Sequence, residues 1–203
     1  MNVKSILYNN MSKEKLYKVL INFFPLLRGG ITSVYFHVFR KNIKIGFMAR
    51  IKQGVELKLF PGSKVCIGKA PIIGRYTTLN VAKGGTLEIG DNVGIGNRCE
   101  IACHQLIKIG SGTMLAPNVL MFDHNHTFDL RTGVNQRQYE NGSIQIGQKC
   151  WIGANVTILK DVNIGDNCVI GAGSVVVKSI PDNSVAVGNP ARVIKTLEPK
   201  SEE

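Results

Sequence analysis

The chain has 203 residues, a net charge of +11, 22 glycines, one tryptophan and five cysteines. That length suits one domain plus appendages. No apolar run reaches the roughly 18 residues of a membrane-crossing helix, no secretory leader is apparent, and the odd cysteine count without paired Cys motifs speaks for reduced core thiols in a cytoplasmic protein.

Residues 1–44 form a first unit, an N-terminal amphipathic helical segment. The first 45 positions hold Lys4, Lys13, Lys15, Lys18, Arg28, Arg40, Lys41 and Lys44 against Glu14 alone. Leu16, Val19, Leu20, Phe23 and Phe24 follow helical spacing, with Ser12 as N-cap and Pro25 near the end; Ile31, Val34, Tyr35, Val38 and Phe39 repeat it. Two short amphipathic helices are expected. They either cover the open end of the domain C-terminal to them or lie on an anionic membrane surface. Nucleic acid is not an expected partner, because the basic residues carry no recognised reading motif.

From residue 45 the pattern changes to a period of six. Ile45, Ile51 and Leu57 form one block, Ile67, Ile73 and Leu79 a second, and Ile89, Ile95, Ile101 and Ile107 a third. The third slips at Thr113 and resumes at Val119. Turn signals interrupt the series at Pro61-Gly62 and Gly84-Gly85. A last block runs unbroken through Ile146, Ile152, Ile158, Ile164, Ile170 and Val176. Neither a helix nor an ordinary strand keeps that period; it marks a β-helix of short parallel strands. Strand faces alternate, so three faces with one large inward residue each would make an 18-residue coil. The corners need residues that tolerate left-handed backbone, as in Gly90-Asp91-Asn92 and Gly165-Asp166-Asn167. A second small apolar slot (Val93, Cys99, Cys150, Val156, Val162, Cys168) makes the repeat amphipathic at two phases, and such coils are stable only when stacked.

The one long interruption, 121–145, carries the chemistry. It holds His124 and His126, two of the four histidines, among Asp123, Asp129, Arg131, Arg137, Tyr139 and Glu140. A long loop on a rigid scaffold is more often functional than decorative, and histidine is the usual general base near neutrality. His104, within the coil, and His37 read as structural. The polar end 196–203, with Pro199, is expected to fray.

Three segments carry a family resemblance: Asp123-His124-Asn125-His126-Thr127-Phe128-Asp129, Trp151-Ile152-Gly153-Ala154-Asn155, and Gly188-Asn189-Pro190-Ala191-Arg192-Val193-Ile194. Over 45–195 the chain resembles the hexapeptide-repeat acyltransferases. It is nearest the branch of galactoside, maltose and streptogramin acetyltransferases and of bacterial surface-polysaccharide O-acetyltransferases. The resemblance implies an all-β fold, a left-handed parallel β-helix with a short helical N-terminal segment and one protruding loop. It also implies a homotrimer that takes acetyl-CoA as donor in a groove between subunits, needs no metal, and acetylates a carbohydrate hydroxyl directly. Aligned from Ile109-Gly110 through Ala116-Pro117-Asn118-Val119, the family's catalytic histidine falls on His126, with His124 as second candidate. Asp123, Arg131, Arg137, Tyr139 and Glu140 fall on the acceptor side; Asp123 and Glu140 are also candidate partners of a histidine. For the donor, Gly153, Ala154, Ala172 and Gly173 would line the pantetheine arm, Trp151 would pack on it, and Lys178, Arg192 and Lys195 would meet the phosphates. Ser143-Ile144-Gln145 stands where the family has proline. Two other readings use the same coil: a metalloenzyme resembling γ-class carbonic anhydrases, through His104, His124 and His126, and a non-catalytic scaffold.

Overall fold

The computed structural model describes residues 13–198; the expected cap Ser12 and the last part of the tail, 199–203, lie outside them. Residues 43 onward wind into stacked coils with three sheets, two of six strands and one of eight, parallel throughout except for the last strand of the eight. Inward residues stack in ladders along the axis. Ile43, Val65, Leu87, Ile107, Ile144 and Val162 succeed one another on the first face. Ile51, Ile73, Ile95, Leu115, Ile152 and Ile170 do so on the second. Leu57, Leu79, Ile101, Met121, Ile158 and Val176 do so on the third. Nearly all are fully buried, and this continuous apolar column is the core.

The corners use left-handed backbone as expected: Asn92 and Asn167 both have φ of 56°. Between coils, glycines let backbones approach: a Cβ on Gly96 would sit 2.5 Å from the carbonyl carbon of Ala116. The repeat slips at a different place from the one its spacing suggests. Thr113 keeps its slot, fully buried, accepting from the N–H of Cys150 and donating to the carbonyl of Gly147. The extra residues are His104 and Gln105, at the corner between Glu100–Cys103 on the third face and Leu106–Ile109 on the first. Strands of the first face send two residues inward, so Ile107 falls six after Ile101 although it stacks on Leu87 rather than on Ile89.

At the N-terminus a single helix, α1 (Lys13–Phe39), replaces the two expected, with Pro25 inside it. C-terminal to Pro25 it is held to the coil. Arg28 donates to the carbonyl of Ile51, Ser33 to that of Ile45, and Arg40 to those of Leu59 and Phe60. The helix thus bonds to the first strand of all three faces and covers the open edge. Proline removes one backbone donor, and these anchors span the distance beyond it. Among residues 22–39 the buried positions are Gly29 and Phe36. The apolar stripe Ile31, Val34, Tyr35, Val38 and Phe39 faces away from the coil. At the other end, Ala191–Thr196 returns antiparallel to Ser184–Gly188, so Thr196 belongs to a strand rather than to the tail.

Candidate active site

Every insertion in the coil falls at the same corner, between the third and first faces. Phe60–Ser63, Ala82–Gly85 and His104–Gln105 are the short ones, and the long interruption is the fourth. It leaves after Phe122 and returns at Ser143 as an antiparallel hairpin of His124–Asp129 and Gly133–Asn141. Stacking places it directly above His104.

Asp123 builds the junction. It is fully buried, and its carboxylate accepts the N–H groups of His104, Gln105 and Leu106 at 2.7, 2.8 and 2.9 Å. These donors would otherwise be orphaned by the corner. His124 Nδ1 lies 3.2 Å from the same carboxylate. Its ring stacks on His104, centroids 3.5 Å apart and planes within 7°. Tyr139 stands edge-on to both rings, at 4.5 Å from His104 and 5.3 Å from His124. His126, paired with Tyr139 across the hairpin, has its ring 4.5 Å from the phenol.

His126 is exposed, and its Nδ1 lies 3.1 Å from the backbone oxygen of Asn135. A carbonyl can only accept, so in the neutral ring it is Nδ1 that carries the proton. Nε2 then holds a free lone pair, the form a general base needs. The pKa of His104 is lowered, first by burial and next by the facing His124. Beneath the cluster, burial and then the Asp123 carboxylate push the Cys103 thiol up to about 12, so it stays protonated. Among the described residues no three His, Cys, Asp or Glu are placed to hold a metal ion.

The remaining candidates separate into two places. Glu140 lies opposite Asn125 on the hairpin, while Arg131 and Arg137 sit exposed along its arm. The hairpin tip is closed by Asp129, held below the ordinary carboxylate range by the N–H groups of Arg131 and Thr132. Trp151 is on the second face, half exposed between Met114 and Val169. Gly153 and Ala154 stack on Ala172 and Gly173 at the next corner, where the N–H of Gly173 donates to Ala154. A prism has its second face opposite the corner joining the other two. Within one chain, Trp151 therefore lies on the face away from the histidines, and the glycine corner lies at the other end of the third face from them. Lys178 is exposed past the third face, and Arg192 and Lys195 are exposed on the returning strand.

His104 is not singled out by its sequence setting, although the two extra residues at its corner one coil before the loop are a readable signal. Asn135 acts through its backbone and leaves no signal at all.

Comparison with known proteins agrees with this architecture. Residues 143–178 match the family model "Bacterial transferase hexapeptide (six repeats)". The chain is 40% identical over 119 residues to an Escherichia coli protein described as a lipopolysaccharide biosynthesis O-acetyl transferase, WbbJ, covering 55% of this chain and 61% of that one. It is 38% identical over 114 residues to the galactoside O-acetyltransferase of the same organism, covering 56% of each. A solved maltose O-acetyltransferase from Clostridium difficile superposes with a TM-score of 0.50 at 29% identity, over 95% of this chain and 82% of the other. The chain spans about half to three fifths of the length of curated relatives such as these.

Proposed function

From a chain that resembles the hexapeptide-repeat acetyltransferases in repeat, fold and relatives, we propose an O-acetyltransferase. It moves an acetyl group from acetyl-CoA to a hydroxyl of a carbohydrate, in the assembly of a bacterial surface polysaccharide. His126 is the general base. The observation that carries this reading is the bond between its Nδ1–H and the Asn135 carbonyl, which leaves Nε2 bare on an exposed ring. Nε2 takes the acceptor's hydroxyl proton while the oxygen attacks the thioester carbonyl. The tetrahedral oxyanion collapses, the C–S bond breaks, and the proton passes from Nε2 to the leaving thiolate. A hydroxyl needs such a base because it is a poor nucleophile until its proton is removed. Tyr139 supports the His126 ring from the side, and His124 and His104 form the floor beside it.

The separation of the histidine corner from Trp151 and the glycine corner supports a site shared between copies. A homotrimer would bring the hairpin of one subunit to the donor groove of the next. The similarity to WbbJ and to the galactoside enzyme supports a sugar as acceptor and hydroxyl as nucleophile.

The test is free thiol release from acetyl-CoA with a panel of sugars and oligosaccharide precursors. His126→Ala is expected to lose about 10²–10⁴ in turnover with CoA affinity retained. Equal turnover in His126→Ala and the parent protein would remove the base from this role. Thiol release that no acceptor stimulates would remove the reaction.

A further inference from the structure

The helix face that turns away from the coil is apolar over residues 23–39. Phe23, Leu27, Ile31, Val34, Val38 and Phe39 recur along it and are each at least half exposed. Over residues 23–39 this stripe is about 24 Å long at 1.5 Å per residue. It continues onto the first corner of the coil, where Phe47 is 79% and Met48 54% exposed, across an apolar groove of about 530 Å³. Scattered exposed apolar residues are ordinary, but a contiguous patch of this length marks a binding surface. The coil is already capped by the opposite side of the helix, so capping does not explain it.

Charge identifies the occupant. The first 45 residues carry eight Lys and Arg against one acidic residue, and Lys41 and Lys44 are exposed just after the stripe. Two such surfaces brought face to face repel, whereas an anionic surface attracts them at about 1 kcal/mol per basic residue. Apolar burial together with flanking cations is the recipe of an interfacial helix. No helix among the described residues is long and apolar enough to cross a membrane. We infer that the outward face of α1 docks on the surface of an anionic lipid bilayer, holding the coil end-on to it.

The experiment is flotation of the full chain with vesicles of phosphatidylglycerol and phosphatidylcholine, and with pure phosphatidylcholine, at low and high salt. The parent protein should float with the anionic vesicles at low salt and largely dissociate in high salt. Ile31→Asp with Val34→Asp, and separately Lys41→Glu with Lys44→Glu, should each lower the floated fraction at least about tenfold. All four side chains are exposed, so melting curves and acetyl transfer to a soluble acceptor should be unchanged, which separates this outcome from failure of the proposed reaction. Absence of flotation, equal flotation on neutral vesicles, or equal flotation by both variants would overturn the inference. So would an apolar-face variant that dissociates into smaller oligomers while lipid binding persists; that result would assign the face to a second copy.

Discussion

Asp123 has no exposed surface, yet both its oxygens are engaged, by three backbone N–H groups and the His124 ring. In Asp123→Asn one oxygen becomes an NH2 that faces donors instead of accepting from them. Each buried donor left unpaired costs about 1–3 kcal/mol, so the variant is expected to lose about 3 kcal/mol of stability, read from the denaturant midpoint. An unmoved midpoint would mean that the root of the hairpin is held by other contacts. His104 links stability to pH. Its pKa in the unfolded chain is 6.5 and in the folded protein is lower, because burial and His124 disfavour its charge. As pH falls, the unfolded chain binds this proton first, so stability is full above 6.5 and declines below it, down to the folded value. Melting temperatures taken from about pH 7.5 to 5 should fall less steeply in His104→Gln than in the parent protein. Sequence spacing places His124 and His126 on one extended segment, and they do share it. It does not show that a buried carboxylate would tie that segment to His104, because the contact joins residues 19 apart through backbone N–H groups.

At the scale of elements, α1 lies where it does because Gly29 has no side chain. A Cβ there would sit 1.9 Å from the backbone oxygen of Ala49, whereas one on Gly30 would meet nothing within 4 Å. Gly29→Ala must lift the helix from the coil. It is expected to cost about 2 kcal/mol and to speed proteolytic removal of the N-terminal segment. Gly30→Ala should be neutral or gain up to about 1 kcal/mol from helix propensity. If the two variants behaved alike in limited proteolysis, the close contact would not control docking. The helical character of 13–39 is legible from apolar spacing. Which face packs is not, because spacing reports that a stripe exists and not what it meets. Here the packed side uses glycine, serine, arginine and one phenylalanine, Phe36, none of which stands out in a periodicity count. The hairpin is less legible still. Its strands are polar and mostly exposed, so they carry no alternation.

For the whole molecule, the six-residue period is enough to give the prism, since each ladder is a direct image of it. The hand of the coil comes from family resemblance and not from the period. Phase is harder to read than period: two inward residues per first-face strand let the His104–Gln105 insertion pass unnoticed, and that insertion marks the site. If the site is shared between subunits, two inactive variants should rescue each other. Co-expressed His126→Ala and Ala172→Trp chains, one lacking the base and the other filling the groove, should regain activity in roughly a quarter of all sites, since each site draws its halves from different copies. Activity no higher in the mixture than in either variant alone would return both halves to one chain. The ladders below and above the hairpin, Leu106–Ile109 against Ser143–Ile146, run in unbroken register although 33 residues intervene between the strands. One edge of the prism therefore works as a socket. The stem keeps its own packing across this insertion, so recognition of a new acceptor could be grafted by exchanging the turn around 129–133 while the root at Asp123 and the His126 pair stay in place.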